Sequence, residues 1–409
     1  MNLLLVRRAG GFSLVELMVS VVIGLLALLF ATRLVITGES SKEAAIGGSD
    51  SMQNGMLALF SLSGDANAAG WGLNDPLLAG CDTVFDDAEG YELLSVKRGG
   101  VDIHPLAGVV IESNGAEPDR ISFNSGSSQT AIGSVKMTAD YANGNLLTVE
   151  SNLPYDFNNR DVLVVASEFA PRCTLAQLSG FNPAQQNQML INTGAGYRFN
   201  PTAGLGQAFT GNASYVYNLG QPEKLHFHTW SVNNGVLMLR ATDLPGAAAN
   251  PVSVADNVVS IKAQYGFDAR AITFYDPNPP GNASLLTVYD KGVAVVAPVT
   301  GMQVTRWSTD LIDADAIEGA GAMKDYQRIA AVRIAIVARS KIAEKPDTSG
   351  QCTATKVRPV VFADATPKDV EPVPMEVNVA VAGDPVDWKC YRYRVFETIV
   401  PLVNSQFRP

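Results

Sequence analysis

Residues 12–32 read FSLVELMVSVVIGLLALLFAT, an apolar run broken by a single carboxylate, Glu16. As a helix, 21 residues rise about 31 Å, which matches the hydrocarbon thickness of a bilayer. The next segment, TRLVITGESSKEAA, continues in helix-compatible residues, and the first proline is Pro76. A single helix over 12–69, roughly 87 Å long, is therefore predicted. In its second half Met52, Met56, Leu59, Phe60 and Leu62 suggest one buried stripe. The pair Gly47-Gly48 is expected to bend or melt it.

Beyond Pro76 the period shortens. β-rich runs at 120–123, 146–149, 162–166, 215–217 and 225–230 alternate with Gly, Asn and Pro turns. Strands are also expected at 258–268, at 332–338 after a short helix over 323–330, and along 389–404. The stretches 244–251 (LPGAAANP) and 276–284 (DPNPPGNAS) read as connections. This order places the chain in the α+β class, with a long N-terminal helix packed on antiparallel sheet and an additional β-rich lobe. The expected divisions are a leader at 1–11, the helix at 12–70, a β-rich lobe at 71–250 and a second lobe at 251–409.

Charge changes the picture by exclusion. The chain carries 30 basic and 40 acidic residues. Loss of the leader, with Arg7 and Arg8, would leave 28 against 40, or −12. Nucleic acid is not an expected partner, because phosphate binding needs clustered base. The cysteines are Cys81, Cys173, Cys352 and Cys390, none in a CxxC. Four widely spaced cysteines beyond a membrane segment point to two disulfides in an oxidising compartment. Three connectivities are open. Cys81–Cys173 with Cys352–Cys390 is favoured, since each pair closes a loop within one expected lobe. The shorter loop would contribute about 4 kcal/mol in the loop-entropy model.

Arg7 and Arg8 precede the apolar run, so the positive-inside bias keeps the N-terminus in the cytoplasm and sends the remainder outward. A cleaved secretory signal would place small residues after the run. Here Gly10-Gly11 lies before it. An ionisable residue in a membrane helix costs about 3 kcal/mol at mid-bilayer and needs a partner or a route to the interface. For Glu16, four residues into the span, snorkelling is the competing reading. Taken together, RRAGGFSLVEL resembles the class III signal shared by type IV prepilins and type II secretion pseudopilins. That resemblance implies cleavage between Gly11 and Phe12 by a prepilin peptidase and methylation of the Phe12 amine. It also implies that Glu16 neutralises the amine of a neighbouring subunit during assembly. A paired carboxylate and ammonium are far less costly in apolar surroundings than either alone.

Further segments narrow the resemblance. DANAAGWG at 65–72, DNVVSIKAQYGFD at 256–268, YQRIAAVRIAIVARS at 326–340 and YRYRVFETIVPLVN at 391–404 resemble the PilW family of minor pilins. Tyr326 and Val403 depart from the family's expected Trp and Arg. The resemblance implies a minor pilin that takes part in initiating type IV pili at or near the tip. Implied partners are other minor pilins, the major pilin, the prepilin peptidase, the inner-membrane assembly machinery and a tip adhesin. The implied location is the inner membrane, single-pass with a periplasmic C-terminal domain, and then the pilus tip. A large type II secretion pseudopilin and an adhesin lobe on a pilin anchor are the alternatives.

Candidate chemistry is sparse, and no cofactor, metal or catalytic residue is expected. With three histidines and no GxSxG or HExxH, nothing suggests an enzyme. His226 and His228 in LHFHTW would share one strand face, as a metal half-site could. With only His104 besides, they are read as two surface or half-buried histidines. Asp310, Asp313, Asp315 and Glu318 miss EF-hand spacing and are read as a solvated acidic loop. The Gly-rich stretch 194–206 lacks a phosphate-loop pattern and is read as a surface loop.

Overall fold

The computed structural model describes residues 13–128, 133–168, 170–269, 273–274, 286–290, 293–297, 302–314, 319–347 and 349–406. Helix α1 (Leu14–Ala68) runs through Gly47-Gly48 without melting. Each glycine lowers helix propensity by about 1 kcal/mol but keeps its N–H and C=O, so the ladder of backbone hydrogen bonds persists. The chain divides into two units, Met1–Asp50 and Ser51–Pro409, and the division falls within α1.

In the larger unit, three sheets carry most of the strands among the described residues. One has the order Val252–Asp256, Val236–Ala241, His226–Asn233, Arg120–Ser125, Val109–Glu112, antiparallel throughout. A second runs Arg306–Ser308, Val258–Phe267, Ile329–Arg339, Tyr393–Pro401, also antiparallel. The third joins Pro105–Leu106, Cys81–Val84, Ala170–Gln177, Val162–Ser167, Ser214–Gly220 and Gly133–Lys136, with one parallel pair, Cys81–Val84 on Ala170–Gln177. The strands expected at 120–123, 162–166, 215–217 and 332–338 fall within these elements, and those at 225–230 and 258–268 match them to within a residue. Leu146–Thr148 instead joins a separate three-stranded sheet, and the strand expected along 389–404 is confined to Tyr393–Pro401. The expected short helix is only Met323–Tyr326, and the loop at 276–284 lies outside the described residues.

The stretch 244–251 joins two neighbouring strands of the first sheet. One core also crosses residue 250: Ile121, Phe123, Trp230 and Leu237 pack with Val258, Ile261, Ile334 and Ile336. Buried Lys262 adds a polar tie. Its ammonium donates to Asp119 and, at 2.9 Å each, to the carbonyls of Gly115 and Glu117, so all three protons are matched. A buried charge is tolerable only when so fully paired.

The packed face of α1 keeps only part of the expected stripe, with Leu62 buried and half-buried Leu59 packed on the core. Ser51, Gly55, Ala58, Leu62, Ala66 and Ala69 are buried, whereas Met52, Met56 and Leu57 are exposed and Phe60 is 80% exposed. Small residues face inward because the helix comes very close to its neighbour: a Cβ on Gly55 would overlap the Phe396 ring. The end of α1 is closed from far along the chain. Asn404 Nδ2 donates to the carbonyls of Asn67, Ala68 and Ala69 at 3.1–3.3 Å, satisfying acceptors that a helix terminus leaves free.

Cys81 pairs with Cys173, cross-linking the two parallel strands at a Cα separation of 5.8 Å. Cys352 pairs with Cys390 at 4.8 Å, tying the segment before the terminal strand to its start.

Candidate functional site

The anchor is the first candidate. Leu14–Val35 is long and apolar enough to cross a bilayer. Glu16 lies in its first turn with its side chain exposed. Gly11 and Phe12 lie outside the described residues.

The second candidate assembles around LHFHTW. The two-residue period of the strand His226–Asn233 puts His226, His228 and Trp230 on one face. The adjacent strand pairs Ala241 with His228, which brings Asp243, two residues on, to the same place. Asp65 comes from the last turns of α1. The imidazoles stack with centroids 3.5 Å apart. Asp65 bridges one edge of the stack, at 3.2 Å from His226 Nε2 and 2.8 Å from His228 Nδ1. Asp243 bridges the opposite edge, at 3.0 Å from His226 Nδ1 and 2.7 Å from His228 Nε2. Trp230 Nε1 donates to Asp65 at 2.7 Å.

Electrostatics follow from this geometry. Burial alone would lower both histidines, but hydrogen bonds to Asp243 and Asp65 outweigh it, raising His228 and holding His226 up to about 9. Burial would raise the carboxyls, yet bonds from the two histidines pull Asp65 down to about 2 and Asp243 below its ordinary range. The sequence placed both histidines on one face. It gave no sign of the carboxylates, because Asp65 is 161 residues from His226. His228 is buried and His226 half-buried, so neither lies free at the surface.

The acidic stretch after residue 309 is organised by a residue the sequence reading passed over. Buried Asp325 accepts from the backbone N–H groups of Ala314, Gly321 and Ala322 at 2.6–3.0 Å and so folds the stretch back on itself. Asp315 and Glu318 lie outside the described residues. Among the described residues, the group of side chains converging as metal ligands is Asp65, His226 and His228, not Asp310 and Asp313.

Two family models match. The prokaryotic N-terminal methylation motif matches residues 6–32, and Type IV Pilus-assembly protein W matches residues 228–404. No curated protein and no solved structure matches. The first match covers the basic leader and apolar run, and the second covers the resembling segments at 256–268, 326–340 and 391–404 but not the one at 65–72. Together with the antiparallel sheets and an N-terminal helix long and apolar enough to cross a membrane, these matches support a minor pilin of type IV pili similar to the PilW family.

Proposed function

We propose that this minor pilin acts at or near the pilus tip, where it lowers the barrier to the first assembly step. The observation that carries this reading is bulk. α1 ends at Ala68, and the 341 residues from 69 to 409 follow it. Subunits of a shaft pack around a helical core, and a head of this size on every one would crowd its lateral neighbours. At the tip one side is free of a further subunit.

A second feature supports contact with other pilins. The outward side of α1 within the larger unit carries Met52, Met56, Leu57 and Phe60, large apolar residues in water's reach. Burying them against neighbouring subunits would recover about 25 cal/mol for each Å² covered. In this reading the chain enters the inner membrane with its head in the periplasm. The prepilin peptidase cuts it between Gly11 and Phe12 and methylates Phe12, and Glu16 pairs with a neighbour's amine. Other minor pilins, the major pilin, the inner-membrane machinery and a tip adhesin are its partners.

Deleting the gene should remove most surface pili while leaving the shafts of any that remain unchanged in diameter and pitch. Electron microscopy of the deletion strain and its complemented form reads this directly. Normal piliation in the deletion would shift the reading toward an adhesive head on a pilin anchor.

A further inference from the structure

We propose that Asp65, His226 and His228 bind one divalent transition-metal ion of the zinc type, which clamps the last turns of α1 onto the sheet. The ligands are His226 Nε2, His228 Nδ1 and a carboxylate oxygen of Asp65, which lie within 4.8 Å of one another. Zinc–nitrogen and zinc–oxygen bonds of about 2.0–2.1 Å imply edges of about 3.3 Å between ligands of a tetrahedron. Asp65 Oδ1 stands 3.2 Å from His226 Nε2 and Asp65 Oδ2 stands 2.8 Å from His228 Nδ1, so each ring nitrogen has one oxygen of this carboxylate near that spacing.

The groups behind the ligands fit the same assignment. A histidine bound to metal through one nitrogen commonly donates from the other to a carboxylate, which fixes its tautomer. Asp243 faces the outer nitrogen of both rings, at 3.0 and 2.7 Å. Trp230 Nε1 holds the Asp65 carboxylate from the side. In the competing arrangement, a purely ionic tetrad, every ring nitrogen facing a carboxylate must carry a proton. Two cationic rings would then stack at 3.5 Å. One divalent ion in place of two ring protons keeps the net charge and removes that cation–cation contact.

Two imidazoles and a carboxylate favour zinc over magnesium or calcium, which prefer all-oxygen shells. Asp65 lies three residues before the end of α1 at Ala68. Metal binding therefore joins the helix that bears the anchor to a sheet that holds the first strands of the family-matched region. That match begins at residue 228, so Asp65 and His226 lie outside it.

The test uses the full mature chain in detergent, stripped with a chelator, dialysed and titrated with Zn²⁺ alone against a chromophoric competitor. One ion per chain should bind at micromolar or lower concentration, and the thermal midpoint should rise with zinc and fall with chelator. Asp243→Asn should weaken binding about 10–100-fold. The near-isosteric Asp65→Asn should weaken it further, and His226→Gln with His228→Gln should abolish it. Cobalt-loaded wild type adds a readout independent of any variant: strong visible bands of a tetrahedral ion with nitrogen ligands are expected. Folded wild type that takes up no zinc at this concentration, a double variant that binds as tightly as wild type, or a weak octahedral cobalt spectrum would each overturn the proposal.

Discussion

Gly11→Leu is expected to abolish maturation, so that the chain accumulates with all eleven leader residues. A peptidase that cuts beside a glycine can bring its catalytic groups close to the backbone, and a branched side chain fills that space. Wild-type protein purified from membranes should begin at Phe12 and carry one added methyl group on its amine. Intact-mass measurement on both forms decides the matter. Recovery of uncut wild-type chain from cells with an active prepilin peptidase, or normal cutting of Gly11→Leu, would remove the basis for the assignment of the site.

Glu16→Ala should leave membrane insertion intact but reduce incorporation into pili about tenfold or more, because an ammonium left unpaired in apolar surroundings costs about 1–3 kcal/mol. Glu16 lies in the first turn of α1, within the apolar stretch Leu14–Val35. Glu16→Gln has nearly the same shape and no charge, so a pairing role predicts a similar loss. Quantitative immunoblots of membrane and sheared-pilus fractions give the ratio. Unchanged incorporation in both variants would instead mean that Glu16 only snorkels to the interface.

The anchor was legible because the bilayer imposes a length and an apolarity that few other constraints mimic. The strands were legible from alternation and turn residues, and Val258–Phe267 and Ile329–Arg339, buried along nearly their whole length, read as apolar runs. The packed face of α1 was not. Met52, Met56 and Phe60 have the spacing and size of core residues, yet the close approach of Phe396 to Gly55 selects small residues for the inner side. Long-range polar pairings were equally hidden. Asp119 with Lys262, Asn404 with the end of α1, and Asp65 with His226 and His228 link residues more than 140 positions apart. Nothing in the local sequence marks one member for the other. Only LHFHTW carried a trace, through its period of two.

The position of this protein along the filament tests the account most directly. Mature protein carrying a small surface tag in the larger unit, detected by immunogold on intact pili, should give label confined to one end of each filament at very low copy number. Label spread evenly along the shaft would contradict a tip-located initiator.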